Sequence, residues 1–366
     1  MRRMRRMRRT GCTLAVSAGL ALSLLVVPGV GGAMHVVGLR GDTPFQETSQ
    51  DATQDATTGP TPQAEYLGTV DITASDATRS GIYAHVPVGG ISGIDCTADG
   101  TDPRCIAISD DPGQRGPVRA YDLDPETGEV GEPIVLTDDR GVPYRPGAVD
   151  PESIRFTSAN TSANTDTSED AGLVWTAEGT PGVTVADRHG RATGRLPVAE
   201  GIRRNQGLEG LAVTDTGTGT ADDQRIITAT ETAPVGHDHP VITVYEGDQD
   251  VASYNWPGTG ISEILADPTD GNRLLVLERG YTPGAGNSAM IWRTTLPGTG
   301  GAGTGVLKRE RVADLGALIG HSDVGNTEAM AWAPGRQPGA TDELLIATDD
   351  NFSDGQRGVL HRVRVR

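Results

Sequence analysis
Carboxylates recur along this chain at a spacing that could build one metal or catalytic centre. Five short segments carry them: Gly93-Ile94-Asp95, Pro151-Glu152-Ser153-Ile154, Leu208-Glu209-Gly210-Leu211, Ser262-Glu263-Ile264-Leu265 and Thr327-Glu328-Ala329-Met330. Positions 95, 152, 209, 263 and 328 lie 57, 57, 54 and 65 residues apart. After each comes a β-rich run that closes on a second carboxylate: Asp110, Glu178, Glu231, Glu278 and Asp349. If each pair brackets an antiparallel hairpin, the start of the first strand lies beside the end of the second. Ten carboxylates would then line one face near a common axis. Two such charges about 5 Å apart repel by roughly 3 kcal/mol at an effective dielectric of about 20. Relief comes from shared protons, arginine partners or a bound hard cation with oxygen ligands. The plain alternative is a set of hairpin-end charges screened by water.

The inner set is expected to be Glu152, Glu209, Glu263 and Glu328, with Asp95 in the first repeat; Glu178, Glu231, Glu278 and Asp349 flank it. Arg204, Arg279 and Arg357 stand next to these motifs and either pair with the carboxylates or touch substrate. Glu209, Glu328, Arg204 and Arg279 are the candidate catalytic residues. His237-Asp238-His239 is a weaker metal candidate, on a loop after Glu231. Arg188-His189-Gly190 lacks the arginine spacing of a histidine phosphatase, because Arg191 comes one position early. No G-x-S-x-G elbow, P-loop or dinucleotide fingerprint occurs, so a serine esterase of the common α/β type is unsupported.

A fixed period of this size means stacked or radially arranged units. The hairpin runs are Cys105–Asp110, Leu173–Glu178, Ile226–Glu231, Leu274–Glu278 and Leu345–Asp349. Further strands are predicted at Val118–Leu123 and Pro133–Leu136, Gly182–Ala186 and Gly194–Val198, Val241–Tyr245 and Val251–Asn255, and Ala289–Thr294 and Val306–Val312. The last repeat has only Val359–Val365 before the chain ends, and Tyr66–Ile72 supplies its missing strand. The fold class is thus all-β, a β-propeller of four-stranded blades. Five blades are expected, or six if residues 111–150 or 280–325 hide another, with closure by the N-terminal strand.

Composition agrees. Among 366 residues there are 50 Gly and 23 Pro but only 4% aromatics, a turn-rich β signature. The formal charge is −18, and about −24 without the six leader arginines, which disfavours nucleic acid and anionic membranes and favours cations. Lys308 is the sole lysine, so the remaining positive charge is arginine, the better bidentate partner for carboxylate or phosphate. Residues 1–33 read as a secretory signal, with arginines, the apolar run Leu14–Val27 and a small-residue end. Residues 34–64 read as a disordered linker and 65–366 as the propeller domain. An extracellular or cell-envelope monomer is expected. Cys96 and Cys105 face each other if the turn Thr97–Arg104 closes a hairpin, giving either a disulfide or two free thiols.

Several blocks resemble the phytase-like family, also described as "esterase-like activity of phytase". They are Gly90–Asp95 with Ile106–Asp111, Asn205–Ala212, Leu274–Arg279, Asn326–Met330 and Ala347–Phe352. The resemblance runs in order over roughly residues 65–366. It implies a propeller and a phosphoester or ester hydrolase, by analogy with calcium-dependent propeller phytases. Gln206, where an arginine is expected, and the Ser/Thr-rich insert Thr157–Glu169 depart from the family pattern. The functional expectation is a secreted, calcium-dependent phosphoric ester hydrolase acting on a phosphorylated or ester small molecule. Metal-activated water, with a carboxylate as base, would attack phosphorus. The alternative is a non-catalytic, calcium-stabilised propeller that binds a ligand or partner.

Overall fold
The computed structural model describes residues 63–97, 104–157, 172–215, 224–297, 305–334 and 342–366. The leader, nearly all of the linker, the insert after Thr157 and the centre of the Cys96–Cys105 turn lie outside them. Residues 59–366 make up one compact unit.

Five sheets form it. Their strands are β1 (Ala64–Asp71), β2 (Thr73–Ala74), β3 (Ile91–Cys96), β4 (Cys105–Ser109), β5 (Arg119–Leu123), β6 (Glu129–Val135), β7 (Pro151–Thr157), β8 (Gly172–Ala177), β9 (Gly182–Ala186), β10 (Ala192–Leu196), β11 (Leu208–Asp215), β12 (Gln224–Thr230), β13 (Val241–Glu246), β14 (Gln249–Asn255), β15 (Ile261–Asp267), β16 (Asp270–Thr282), β17 (Gly286–Thr295), β18 (Glu310–Asp314), β19 (Asn326–Trp332), β20 (Asp342–Asp349) and β21 (Val359–Val365). Blades one to four are β3–β6, β7–β10, β11–β14 and β15–β18, each a meander of antiparallel strands, and the short β2 joins β6 in parallel. Blade five is β19, β20, β21 and β1. The pairing of β1 with β21 runs from Ala64↔Val365 to Asp71↔Val359, so the two ends of the domain close one blade. The chain is a five-bladed β-propeller, and the stretches that could have hidden a sixth blade supply outer strands and loops. The two cysteines pair across β3 and β4 as a disulfide.

The core is five apolar layers between blades rather than one centre. Strand alternation explains this. In β16, Leu274 and Val276 pack towards blade three, whereas Leu275 and Leu277 pack towards blade five. In β20, Leu344 and Ile346 face blade four, and Leu345 and Ala347 face blade one. Continuous apolar runs are what a strand buried on both faces requires. Near the axis the inner strands crowd. A Cβ on Gly93 would lie 2.7 Å from Ser153 Cα and 2.8 Å from the Glu152 carbonyl oxygen, so only glycine fits there.

One ion pair fills the axis. Arg155 Nη2 lies 2.9 Å from Glu263 Oε2, both side chains being essentially inaccessible. Arg155 also donates to the carbonyls of Ile94, Ile154, Ile264 and Met330, which belong to four different blades. Glu263 accepts from Ser153 Oγ at 2.8 Å and from the Leu211 N–H, in blade three, the one blade Arg155 does not reach, at 2.9 Å. The pair thus ties all five blades together. Hydrogen bonds thus offset the burial of both charges, although Arg155 Nε finds no partner among the described residues.

Candidate metal and hydrolytic centre
Each inner strand carries a bulge near its start. The ladder shifts register between Ile91 and Gly93, Pro151 and Ile154, Leu208 and Leu211, Ile261 and Glu263, and Thr327 and Ala329. The bulged position re-aims one side chain. By register it is Ser92, Glu152, Glu209, Ser262 and Glu328 in blades one to five. The hairpin's far end supplies the position after Ser109, Ala177, Thr230, Glu278 and Thr348, namely Asp110, Glu178, Glu231, Arg279 and Asp349. Seven carboxylates and one arginine therefore occupy ten equivalent positions, with two serines completing the set. Ser92 and Ser262 donate instead to the carbonyls of Pro151 and Thr327 in the next blade, both at 3.3 Å.

The structural period differs from the sequence period at three places. Asp95 sits three residues beyond the bulge; its Oδ2 accepts the Phe156 N–H at 2.8 Å, among the inner strands. Glu263 sits one residue beyond and is the axial partner of Arg155. Glu278 sits one residue short and leaves the face: Arg309 Nη1 contacts both its oxygens at 2.8 Å, and Trp256 Nε1 donates to it at 2.6 Å. A one-residue offset in a strand reverses the side chain. Convergence of all ten carboxylates is thus corrected to seven. Arg204 is exposed and does not line the cleft described next, and Arg357 pairs with Asp71. His237 and Asp238 are exposed, and neither belongs to a carboxylate triad.

A cleft of about 400 Å³ opens over the axis, lined by Asp110, Asp150, Glu152, Glu178, Glu209, Arg279 and Glu328 among others. Three triads offer carboxylate oxygens within 4.8 Å of one another: Asp110–Glu328–Asp349, Asp150–Glu152–Glu178 and Glu178–Glu209–Glu231. Glu178 belongs to two of them. Oxygens about 2.3–2.6 Å from one Ca²⁺ can be about 5 Å apart at most, so each triad meets the reach of a hard cation. Asp150 was not singled out from sequence, although Asp150-Pro151-Glu152 offered two carboxylates around a proline. Asn326 was missed as a linker too. Its amide nitrogen donates to Glu328 at 2.8 Å and Asp349 at 3.2 Å, and its oxygen accepts from Arg279 at 2.6 Å.

Electrostatics follow from this crowding. Burial, then the charges of Asp349 and Glu328, push Asp110 up to about 9. Burial chiefly, with Glu328, raises Asp349 to about 7. Burial and Asp111 raise Asp150 to about 6. Glu152 and Glu209 are driven well above the usual carboxylate range, by burial first and then by neighbouring carboxylates in the case of Glu152; at Glu209 the Arg279 charge opposes the rise. Burial also raises Glu178, opposed by the hydrogen bond it accepts from the Gly207 N–H. Arg279 is held charged by Glu328 at 2.7 Å and Glu231 at 3.5 Å. Arg279 does not offset this crowding, and Asp110 and Asp349 stay raised to neutral pH or above.

Fold and cleft together define a five-bladed propeller with an acidic axial centre. Its sequence matches the phytase-like family, described as "Esterase-like activity of phytase", over residues 86–352, and the chain belongs to that family. The family points to a propeller hydrolase. No curated protein sequence matches the chain. Solved structures with a similar backbone include Kuenenia stuttgartiensis hydrazine synthase, at 13% identity and TM-score 0.38, covering 76% of this chain and 68% of that one. A humanized mutant of the Chaetomium thermophilum Polycomb Repressive Complex 2 matches at 12% identity and TM-score 0.37, covering 80% and 55%. An active polycomb repressive complex 2 in the basal state matches at 12% and 0.36, covering 80% and 53%. This chain thus spans about half of those two polycomb chains. Similarity of this degree says nothing about activity.

Proposed function
We propose that the protein is an exported, calcium-dependent phosphoric ester hydrolase working in the axial cleft. The observation that carries this reading is the set of three contiguous carboxylate triads around one fixed guanidinium, Arg279. The triads Asp110–Glu328–Asp349, Asp150–Glu152–Glu178 and Glu178–Glu209–Glu231 would hold the cations. Bound there, a divalent cation cancels carboxylate charge and polarises a phosphoryl oxygen. Arg279 keeps its positive charge through Glu231 and Glu328, and so can hold a phosphoryl oxygen without titrating. Asn326 fixes Glu328, Asp349 and Arg279 relative to one another, which is the positioning that in-line attack requires. A carboxylate of the ring takes the proton from the attacking water. Export rests on the arginine-rich, apolar leader of residues 1–33.

Phosphate release from phytate or an aryl phosphate, with saturating Ca²⁺ and then with EDTA, tests the reading. Turnover with Ca²⁺ and its loss with chelator are expected. No phosphate release at saturating Ca²⁺ sinks it and leaves a cation-stabilised binding propeller.

A further inference from the structure
The cleft has a second arginine at its rim that the carboxylates do not claim. Arg115 is exposed and lines the same cavity as Asp110, Glu152 and Glu209. Its backbone N–H donates to Asp111, at 3.0 Å to Oδ2, and the Gln114 N–H donates to Asp111 Oδ1 at 2.7 Å. These bonds, with the Arg119 Nη1 contact at 2.8 Å, use up the Asp111 carboxylate. Among the described residues the Arg115 guanidinium makes no ion pair. It lies instead on the Phe352 ring, 4.2 Å from guanidinium carbon to ring centroid. A cation on a π face is held without using its N–H donors. Those five donors stay free for an oxyanion.

Phe352 is a built platform. Asn351 and Phe352 take successive left-handed φ values of 48° and 49°. Asparagine tolerates that region, but an aromatic residue there costs energy, and such strain concentrates at ligand sites. The local structure enforces it. Asp350 Oδ1 accepts N–H donations from Phe352 and from Gly90 in the adjoining blade, both at 2.9 Å. Gly90 has φ 63°, and a Cβ there would lie 2.4 Å from Phe352 Cε2. The ring is thereby fixed beneath Arg115 at the junction of blades five and one.

We propose that Arg115 on Phe352 is the anion-binding arm of the cleft and selects phosphoryl esters over carboxylic esters. This rests on the reading of the cleft as a cation-dependent phosphoesterase centre. A phosphoryl ester carries anionic non-bridging oxygens before reaction, so a guanidinium fork can hold one while cations take another. A carboxylic ester is neutral in the ground state and gains nothing from Arg115. The residue is a binding and specificity determinant and takes no part in bond making.

The test uses the full chain loaded with Ca²⁺, comparing wild type with Arg115→Ala, Arg115→Lys and Phe352→Leu. Inorganic phosphate binding is read by calorimetry, Ca²⁺ binding by a separate titration, and steady-state kinetics with 4-nitrophenyl phosphate and 4-nitrophenyl acetate. For Arg115→Ala, phosphate Kd and the KM for the phosphate ester should rise at least about tenfold, with kcat and Ca²⁺ affinity within about threefold. Arg115→Lys and Phe352→Leu should fall between, because each removes one part of the stacked fork. Any acetate hydrolysis should be unchanged. Phosphate affinity unaltered in Arg115→Ala, a parallel loss of Ca²⁺ affinity, or a wild type that takes up no phosphate overturns the inference. A wild type that binds phosphate through Arg115 but hydrolyses no ester overturns the hydrolase reading alone.

Discussion

Arg279 fills, in blade four, the position that is a carboxylate in the other four blades. That substitution of sign sets the electrostatics of the cleft, since Glu231 and Glu328 flank it on either side. Glu209→Gln or Glu328→Gln removes a charge and keeps the shape. Each should weaken Ca²⁺ binding and cut phosphoesterase turnover at least about tenfold, or about 1.4 kcal/mol of barrier. The cation-free fold should be unchanged or firmer, because a repulsion is relieved. Calcium titration, turnover and thermal melting of each variant check this. Arg279→Gln should do the reverse to the apo protein, lowering its melting temperature, with added Ca²⁺ recovering part of the loss. At this scale Glu209, Glu328 and Arg279 were legible because each sits beside a repeated motif. Glu278 and Arg279 are adjacent, however, and nothing in the sequence says which of two neighbours in a strand faces the axis. Arg115 gave no signal, because a stacked arginine looks like any surface arginine until its ring is seen.

The bulge is the element-scale reason why the sequence period and the structural period part. Five strands and their hairpin partners could be read from β-rich runs and turn residues, and β1 could be assigned to the last blade from a simple shortage of strands. The bulge could not be read, since it leaves composition unchanged and adds one residue to one strand. Its consequence is that Glu263 turns to the axis and meets Arg155. Arg155→Met should destabilise the domain by about 3–5 kcal/mol near neutral pH, because Glu263 and four blade carbonyls lose their partner. Burial raises Glu263 to about 7 against the Arg155 charge, so below that pH the carboxyl protonates more readily and the loss should shrink. Urea unfolding at two pH values measures it, and an equal loss at both would show that the carbonyls dominate. Closure is testable in the same way. Removing residues 34–62 should leave stability unchanged, whereas removing 34–73 also deletes β1 and exposes the β21 edge. Equal melting temperatures for the two truncations would count against the shared blade.

Across the whole molecule, an acidic chain has gathered seven repeat carboxylates and Asp150 at one end of a ring. The fold is maintained by apolar layers between blades, so the axial end is free to carry charge that the core could not tolerate. Stability should therefore respond to pH and cation together. Asp150, Asp349 and Asp110 have folded-state values of about 6, 7 and 9, all above the 3.8 of an ordinary aspartate. A raised carboxylate value means the folded state keeps protons that the unfolded chain releases. The resulting stability is complete below about 4 and disappears as pH rises through the folded values. With EDTA, the melting temperature should consequently fall from about pH 4 to about pH 9, steepest near pH 5, where the unfolded carboxylates have ionised and Asp150, Asp349 and Asp110 still hold their protons. Ca²⁺ displaces those protons and neutralises the resulting charge, so with millimolar Ca²⁺ the same scan should flatten or rise. The gap between the two curves should widen with pH, and calcium binding near pH 7 should release protons detectable by calorimetry in buffers of different ionisation enthalpy. Parallel curves, with no proton release, would mean that these carboxylates bind no cation and are held by their arginine and asparagine partners alone.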